Sequence, residues 1–540
     1  MQVYPVARGM LIRGGSRRRA AGMPTYPLPS FLLLLAGLAV AARLTRSGRR
    51  RERQDRRLEV AAALAVTSIA TLILSAGTYL TLDGYFDHIE PSVAALSWLW
   101  ARGDPVYLPA DSPRVHSLLY GPMTYVVNGT AMRLAGASTF SAKVAGAVSV
   151  PFTLVLLWCA LRKTVASLAG HRIVLTLAMG WVAAFLLIFN NAAYWCRPDP
   201  FIVLGVSAAW CAVRRRGPVG WILVGACLGL VVNLRVTGWV YLLPVMLELW
   251  LLEGPRRLFG ALLVGSVVAA APFLAWPHEL PLANYLGWLR ASARHGFRWQ
   301  QFVLNLQWLV VLAAVPLATF RAPVDRSDRW RLSACAVAGL GAALAGAKVG
   351  AGVAHLCPLV PSLVAACVPR MAASGVALRR AATASVAGLT LMLGVGVAQQ
   401  FRALTVTAAR SEPLARDEVR RAVTAHPNAA VAVGYSRSYA RSFERAEAVY
   451  LGGPYVFDAP AAMDNQLAGI EIPEVSVALL GPRGAEYWLI ATGEDPFVMA
   501  SAYGPADLFP RWFVAAFESR CRRTASGKVF DLWRCSDAVP

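Results

Sequence analysis

The sequence predicts a polytopic α-helical membrane protein with about 11–12 transmembrane helices and a small C-terminal α/β domain. Three observations predict it. Of 540 residues, 57% are apolar and 15% charged, against about 25% charged in a soluble chain, and the mean hydropathy is +0.49. Runs such as Leu58 to Leu80, whose one charge is Glu59, are long enough to cross a hydrocarbon layer of about 30 Å as helices. After Gln400 the apolar runs shrink to strand size ("AAVAVGY", "EYWLIA", "KVFDLWRC") and alternate with turn clusters such as "LGGP", "GPRG" and "ASGK".

Apolar spans are expected near 27–43, 58–80, 139–161, 173–190, 199–213, 218–234, 237–252, 258–277, 303–320, 332–347, 352–368 and 381–399. Every second gap is basic: Arg43 to Arg57, then Arg162 with Lys163 and Arg172, then Arg214 to Arg216, Arg256 with Arg257, Arg321 to Arg331, and Arg370 to Arg380. The positive-inside rule places these gaps in the cytoplasm. It places 81–138, the other gaps and the tail outside. The first span fits poorly, because Arg13, Arg17, Arg18 and Arg19 precede it as well. The expected domains are a basic N-terminal region (1–57), a transmembrane domain (58–400) whose first outer loop is 81–138, and an outer α/β domain (401–540).

The net charge of +23 would suit nucleic acid, but its Arg residues lie in short gaps between apolar runs, so no nucleic-acid partner is expected. Seven of the nine cysteines lie in or beside apolar runs and read as small hydrophobes. Cys521 and Cys535 instead flank a hairpin expected to turn at Ser526-Gly527, where an oxidising compartment favours a disulfide.

The first outer loop opens with "TLDGYFDHIEP". Pro91 suits the first turn of a helix and Gly103 its end, so Asp87 and Glu90 should sit where a transmembrane helix stops. A half-shielded carboxylate there has a raised pKa and can act as a base. Other outer gaps supply matching groups: Arg197 and Asp199 in "YWCRPDP", Arg235 in "NLRVTG", and Lys348 with His355 in "AGAKVGAGVAHLCPLVP". Charge at these depths is costly unless it faces a polar cavity. Asp199, between two prolines, is not expected to be an ordinary helix residue. Together the groups suggest a site for an anionic lipid headgroup. A sugar on a lipid phosphate has a good leaving group, and its transfer needs a base for the acceptor hydroxyl and cations for the departing phosphate.

The chain resembles the GT-C superfamily of integral-membrane glycosyltransferases, in its bacterial protein-mannosyltransferase-like and aminoarabinose-transferase-like branch. The likeness rests on "DHIEP" (87–91), "GDPVY" (103–107), "LLYGPMTYVV" (118–127), "RPDP" (197–200) and "KVGAGVAHLCPLVP" (348–361), and covers roughly 58–400. It implies a polyprenyl-phosphate sugar donor, chemistry at the periplasmic face of a bacterial inner membrane, and a first-loop acid as catalytic base. Asp87 and Glu90 are both open for that role, with Asp83 third. His88, Tyr120, Arg197, Asp199, Arg235, Lys348 and His355 are expected to bind substrate or phosphate. A divalent cation (Mg or Mn) on Asp87 and Asp199 is an open possibility. The acceptor is a lipid, a glycan or a protein. The alternatives are a transporter or flippase of lipid-linked glycans, or an anchor displaying the tail. A transporter should carry polar groups along its whole path, and the cytoplasmic halves of the spans read as nearly devoid of buried charge.

Overall fold

A computed structural model of the chain describes residues 50–165, 171–313, 326–371, 375–503 and 506–536. The expected first span, 27–43, lies outside the described residues. The helices, in chain order, begin with α1 (Arg50–Thr81), α2 (Glu90–Arg102), α3 (Pro122–Ala135), α4 (Thr139–Val165), α5 (His171–Ile188) and α6 (Pro198–Val213). Next come α7 (Pro218–Leu234), α8 (Trp239–Glu253), α9 (Pro255–Ala275), α10 (Leu282–Ala293), α11 (Trp299–Leu312) and α12 (Arg326–Ala345). The last set is α13 (Val360–Met371), α14 (Gly375–Ala409), α15 (Pro413–Ala425), α16 (Arg445–Tyr450), α17 (Ala459–Leu467) and α18 (Arg511–Arg520). Among the described residues six segments are long and apolar enough to cross a membrane: Arg56–Thr81, Thr139–Val165, Val236–Glu253, Pro255–Ala275, Val353–Met371 and Val376–Ala409. Arg172–Ile188, Pro198–Val213 and Pro218–Leu234 are shorter apolar helices. The protein is a multi-pass membrane protein.

Helices α1, α4, α5, α6, α13 and α14 share one apolar core, with Leu72, Leu157, Phe185, Trp210, Val364 and Leu389 among its buried members. Large apolar side chains such as Phe152, Leu263 and Leu274 stay more than half exposed on the outside, as a surface solvated by lipid tails requires. Two glycines permit close approaches that bring the polar segments together. A Cβ on Gly121 would lie 2.1 Å from the Asn233 carbonyl oxygen, and one on Gly146 would lie 2.1 Å from that of Trp195. Only a residue without a side chain lets the backbones meet there.

The tail forms a four-stranded sheet of β1 (Val431–Val433), β2 (Tyr487–Ala491), β3 (Cys521–Ser526) and β4 (Phe530–Cys535), in the order β1-β2-β4-β3. β1 and β2 are parallel, and β3 and β4 form the expected hairpin, with Cys521 opposite Cys535 and joined to it by a disulfide. The expected boundary at 400 falls inside a continuous helix, because α14 runs on to Ala409. The tail is also less separate than its composition suggests. A second core joins Tyr85, Leu96, Trp100 and Tyr125 of the first loop to Tyr435, Phe457, Trp488 and Phe497 of the tail. Val115 donates to the Val456 carbonyl at 2.8 Å and accepts from Asp458 at 2.7 Å.

The end of the bundle away from this tail is not free of buried charge, contrary to the sequence reading. Glu248, with no exposed surface, pairs with Arg214 at 2.8 Å and Arg331 at 2.7 Å. Asp328 pairs with Arg331 at 3.1 Å and lies 3.7 Å from Arg370. Glu248 hides in an apolar run because its partners come from α6 and α12. The two acids offset part of the charge of the three arginines, and the cluster ties four helices together.

Candidate functional site

The site is built on the turn between α1 and α2. Asp87 Oδ1 accepts from the main-chain N–H groups of Ile89 and Glu90, both at 3.0 Å. Glu90 Oε2 reaches back to the N–H groups of Phe86 at 2.9 Å and Asp87 at 3.3 Å. This reciprocal pattern has the bonding of a capping box but lies in the turn ahead of α2, whose N-cap is Ile89, and it needs the two acids three positions apart. It also separates their roles. Glu90 has no exposed surface, and its other oxygen takes the Tyr79 hydroxyl. Asp87 keeps Oδ2 for an ion pair with Arg197, across 110 residues of sequence. The side chains of that pair remain 19% and 15% exposed, so both reach solvent.

Burial alone would raise the Asp87 carboxyl, but the Arg197 charge and the capping amides outweigh it and hold the group below the usual carboxylate range. Burial and the Asp87 charge push Glu90 the other way, against the opposing Lys143. Neighbouring carboxylates whose acidities are pushed apart by their surroundings are candidates for different roles. Burial pushes the His88 ring down to about 4, leaving it neutral at pH 7. It packs against Tyr439 with ring centroids 5.5 Å apart, and its buried Nε2 has no partner.

Arg197 stands at the start of α6, its guanidinium stacked 4.0 Å over Trp195 and 5.7 Å from the Tyr120 ring. Asp199 is in the first turn of α6 after all. Pro198 and Pro200 fall where no helical N–H is needed, so they start the helix rather than break it. Asp199 is fully buried, accepts from Trp195 Nε1 at 3.2 Å and pairs with Arg235 at 2.9 Å. The charges of Arg197, Arg235, Asp199 and Asp87 all act on the Tyr120 phenol. Arg235, Arg197 and Lys348 all act on the ring of His355, whose carbonyl takes the Tyr241 hydroxyl at 2.7 Å and whose buried Nδ1 has no partner. Lys348 donates to Ser292 Oγ. The predicted polar residues thus share one neighbourhood, with one exception. Asp83 is 62% exposed and held by Arg416 at 3.2 Å rather than by the Arg197 and Arg235 cluster.

Four residues escaped the sequence reading. Lys143, buried in the first turns of α4, donates to the carbonyls of Leu82 at 2.7 Å and Gly84 at 2.5 Å, beneath Glu90. A lone Lys in an apolar span was a usable signal. Arg410, just beyond α14, places its charge beside Asp87 and Glu90. Asp464 of α17 faces Lys348 and Arg197, and burial raises its carboxyl to about 7. Arg445 of α16 donates to the His88 carbonyl at 2.9 Å and to Ser92 Oγ at 2.6 Å, and pairs with Asp458 at 3.2 Å.

Asp87 and Asp199 are each engaged by a guanidinium, and among the described residues no group of three or more His, Cys, Asp or Glu could hold a metal ion. The residues do not fit the divalent cation considered from the sequence.

No protein-family model matches the sequence, and no curated protein matches it. The fold defines the class: a multi-pass helical membrane protein with a small terminal α/β domain, shared with solved structures. One is ArnT from Cupriavidus metallidurans bound to undecaprenyl phosphate, at TM-score 0.55 and 14% identity over 88% of this chain and 98% of that one. Another is the same protein in the apo state, at TM-score 0.50 and 13% identity over 87% and 97%. The shared architecture spans nearly the whole of both chains.

Proposed function

We propose that the protein is a glycosyltransferase of the bacterial inner membrane. It moves a sugar from a polyprenyl-phosphate-linked donor to a hydroxyl acceptor at the periplasmic face. The observation that carries the reading is the half-open Asp87–Arg197 pair, set beside Arg235, Lys348 and His355. Its fold is that of a protein solved with undecaprenyl phosphate.

Asp87 Oδ2, the oxygen that Arg197 holds, is the base, and Glu90 holds its loop. With no donor bound, Arg197 keeps Asp87 ionised but weakly basic. A donor phosphate competes for the Arg197 guanidinium, which suits bidentate phosphate contact. As Arg197 turns to the phosphate, Asp87 loses a neighbouring cation and becomes more basic. It then takes the acceptor hydroxyl proton while the acceptor oxygen bonds to the anomeric carbon. The bond from that carbon to the phosphate oxygen breaks, and the polyprenyl phosphate departs held by Arg197, with Lys348 adding charge. The proton on Asp87 returns to solvent.

The test is transfer from a radiolabelled polyprenyl-phosphate sugar by purified protein. Wild type should turn over, and D87N should bind the donor without transferring sugar. Turnover by D87N would remove Asp87 as base. Failure of the wild type to bind any polyprenyl-phosphate sugar would remove the whole reading.

A further inference from the structure

A second polar concavity lies at the far end of the helix pair that carries the site. A groove of about 530 Å³ between α1 and α14 is lined by Arg57, Val376, Arg379, Arg380, Thr383 and Ala384. The five positions from α14 follow the i, i+3, i+4, i+7, i+8 spacing of a single helix face. Arg57 comes from α1, its Nη1 3.5 Å from Thr383 Oγ1. Among the residues whose side chains are described, which exclude 51–55, no carboxylate pairs with Arg57, Arg379 or Arg380. Glu59 is exposed two positions along α1, on a different side of the helix from Arg57.

We propose that this groove binds the headgroup of an anionic phospholipid. Its depth is the first argument. From Arg57 to Tyr79, which contacts Glu90, α1 rises by about 33 Å at 1.5 Å per residue, close to a hydrocarbon thickness of about 30 Å. The groove therefore sits at the opposite interface from the carboxylate site. The Arg-rich gaps make that the cytoplasmic leaflet, which carries anionic lipid. The flank is the second argument. Leu391, seven positions on from Ala384 and so on the same face of α14, is 60% exposed, and Val376, in the groove itself, is 49% exposed. A lipid places its phosphate among the guanidiniums and its tails along this apolar flank, which offers nothing to a free anion. Ordinary positive-inside charge needs no concavity. Here three arginines from two helices converge on one.

The experiment is native mass spectrometry of the full-length protein with phosphatidylglycerol or phosphatidylcholine of the same acyl chains. Wild type should retain phosphatidylglycerol selectively. R57Q/R379Q/R380Q should weaken that retention about tenfold or more, since each basic residue near the surface contributes. R57K/R379K/R380K should keep most of it, and R215Q/R216Q, at another basic gap, should match wild type. Equal loss in R215Q/R216Q would show a diffuse effect of the basic face and overturn the proposal, as would unchanged retention in the triple Gln variant. Displacement of the lipid by low millimolar inorganic phosphate would also overturn it. Should the triple Gln variant fail to fold, the single exposed change R380Q decides: weaker retention supports the site, and unchanged retention refutes it.

Discussion

Arg445 and Asp458 form a buried ion pair at 3.2 Å, and the same guanidinium donates to the main-chain carbonyl of His88 at 2.9 Å. The terminal domain thereby holds the peptide that follows the proposed base. D458N leaves the Arg445 charge buried without a counter-ion and should cost about 3–5 kcal/mol. Replacing both partners by apolar residues should cost less than the sum of the single changes. Thermal unfolding of the three proteins reads this, and strict additivity would contradict it.

The reciprocal bonding separates Asp87 from Glu90 by experiment. Asn at 87 keeps the Oδ1 contacts, so D87N should fold normally and lose about 10²–10⁴ in kcat. Gln at 90 can keep the contacts with Phe86, Asp87 and Tyr79, so E90Q should lose less than about tenfold. A larger loss in E90Q than in D87N would exchange the two roles.

The two arginines should fail differently. R197Q removes a half-open cation and should weaken donor binding about 10–100-fold, the worth of a charge-assisted contact. R235Q strands Asp199, which has no exposed surface, and should instead lower stability by about 3–5 kcal/mol. Donor affinity and melting temperature, measured on both variants, would refute this if the effects were interchanged.

His116 supplies a pH dependence. It is 2% exposed, its Nδ1 is 3.0 Å from the Tyr455 carbonyl, and burial pushes it down to about 4. Its ordinary value is about 6.5. Between these values the unfolded chain binds the extra proton, so the contribution is full above pH 6.5 and is lost as pH falls toward 4. The loss reaches about 3 kcal/mol. Glu444 and Asp464, both raised to about 7 by burial, act in the opposite sense. They are common to wild type and H116Q, so the difference isolates His116. Melting temperature against pH should fall more steeply in wild type below pH 6.5. Parallel curves would exclude the effect.

The fold class was legible because lipid demands long apolar helices, a constraint visible in any window of the sequence. The charged residues of the candidate site stand out in the sequence for a related reason: Asp87, Arg197, Arg235 and Lys348 are charges at the ends of apolar runs. Their pairings were not legible, since Asp87 meets Arg197 and Asp199 meets Arg235 only through tertiary packing. Lys143 was overlooked as a single charge opening a long span. The D-x-x-E spacing carries the reciprocal main-chain bonding of the turn before α2 as well as any chemistry. Asp199 between prolines was misjudged because the first helical turn tolerates both. The buried Glu248 cluster was missed because each member looks solitary in sequence.

The contact from Arg445 to His88 spans 357 residues. During synthesis the early loop leaves the ribosome long before the segment that clamps it, so this contact forms late. Nascent copies cut short after the final crossing should insert and pack their helices yet carry a slack, protease-sensitive loop. The clamp on the first loop thus closes only after the segment carrying Arg445 has been made.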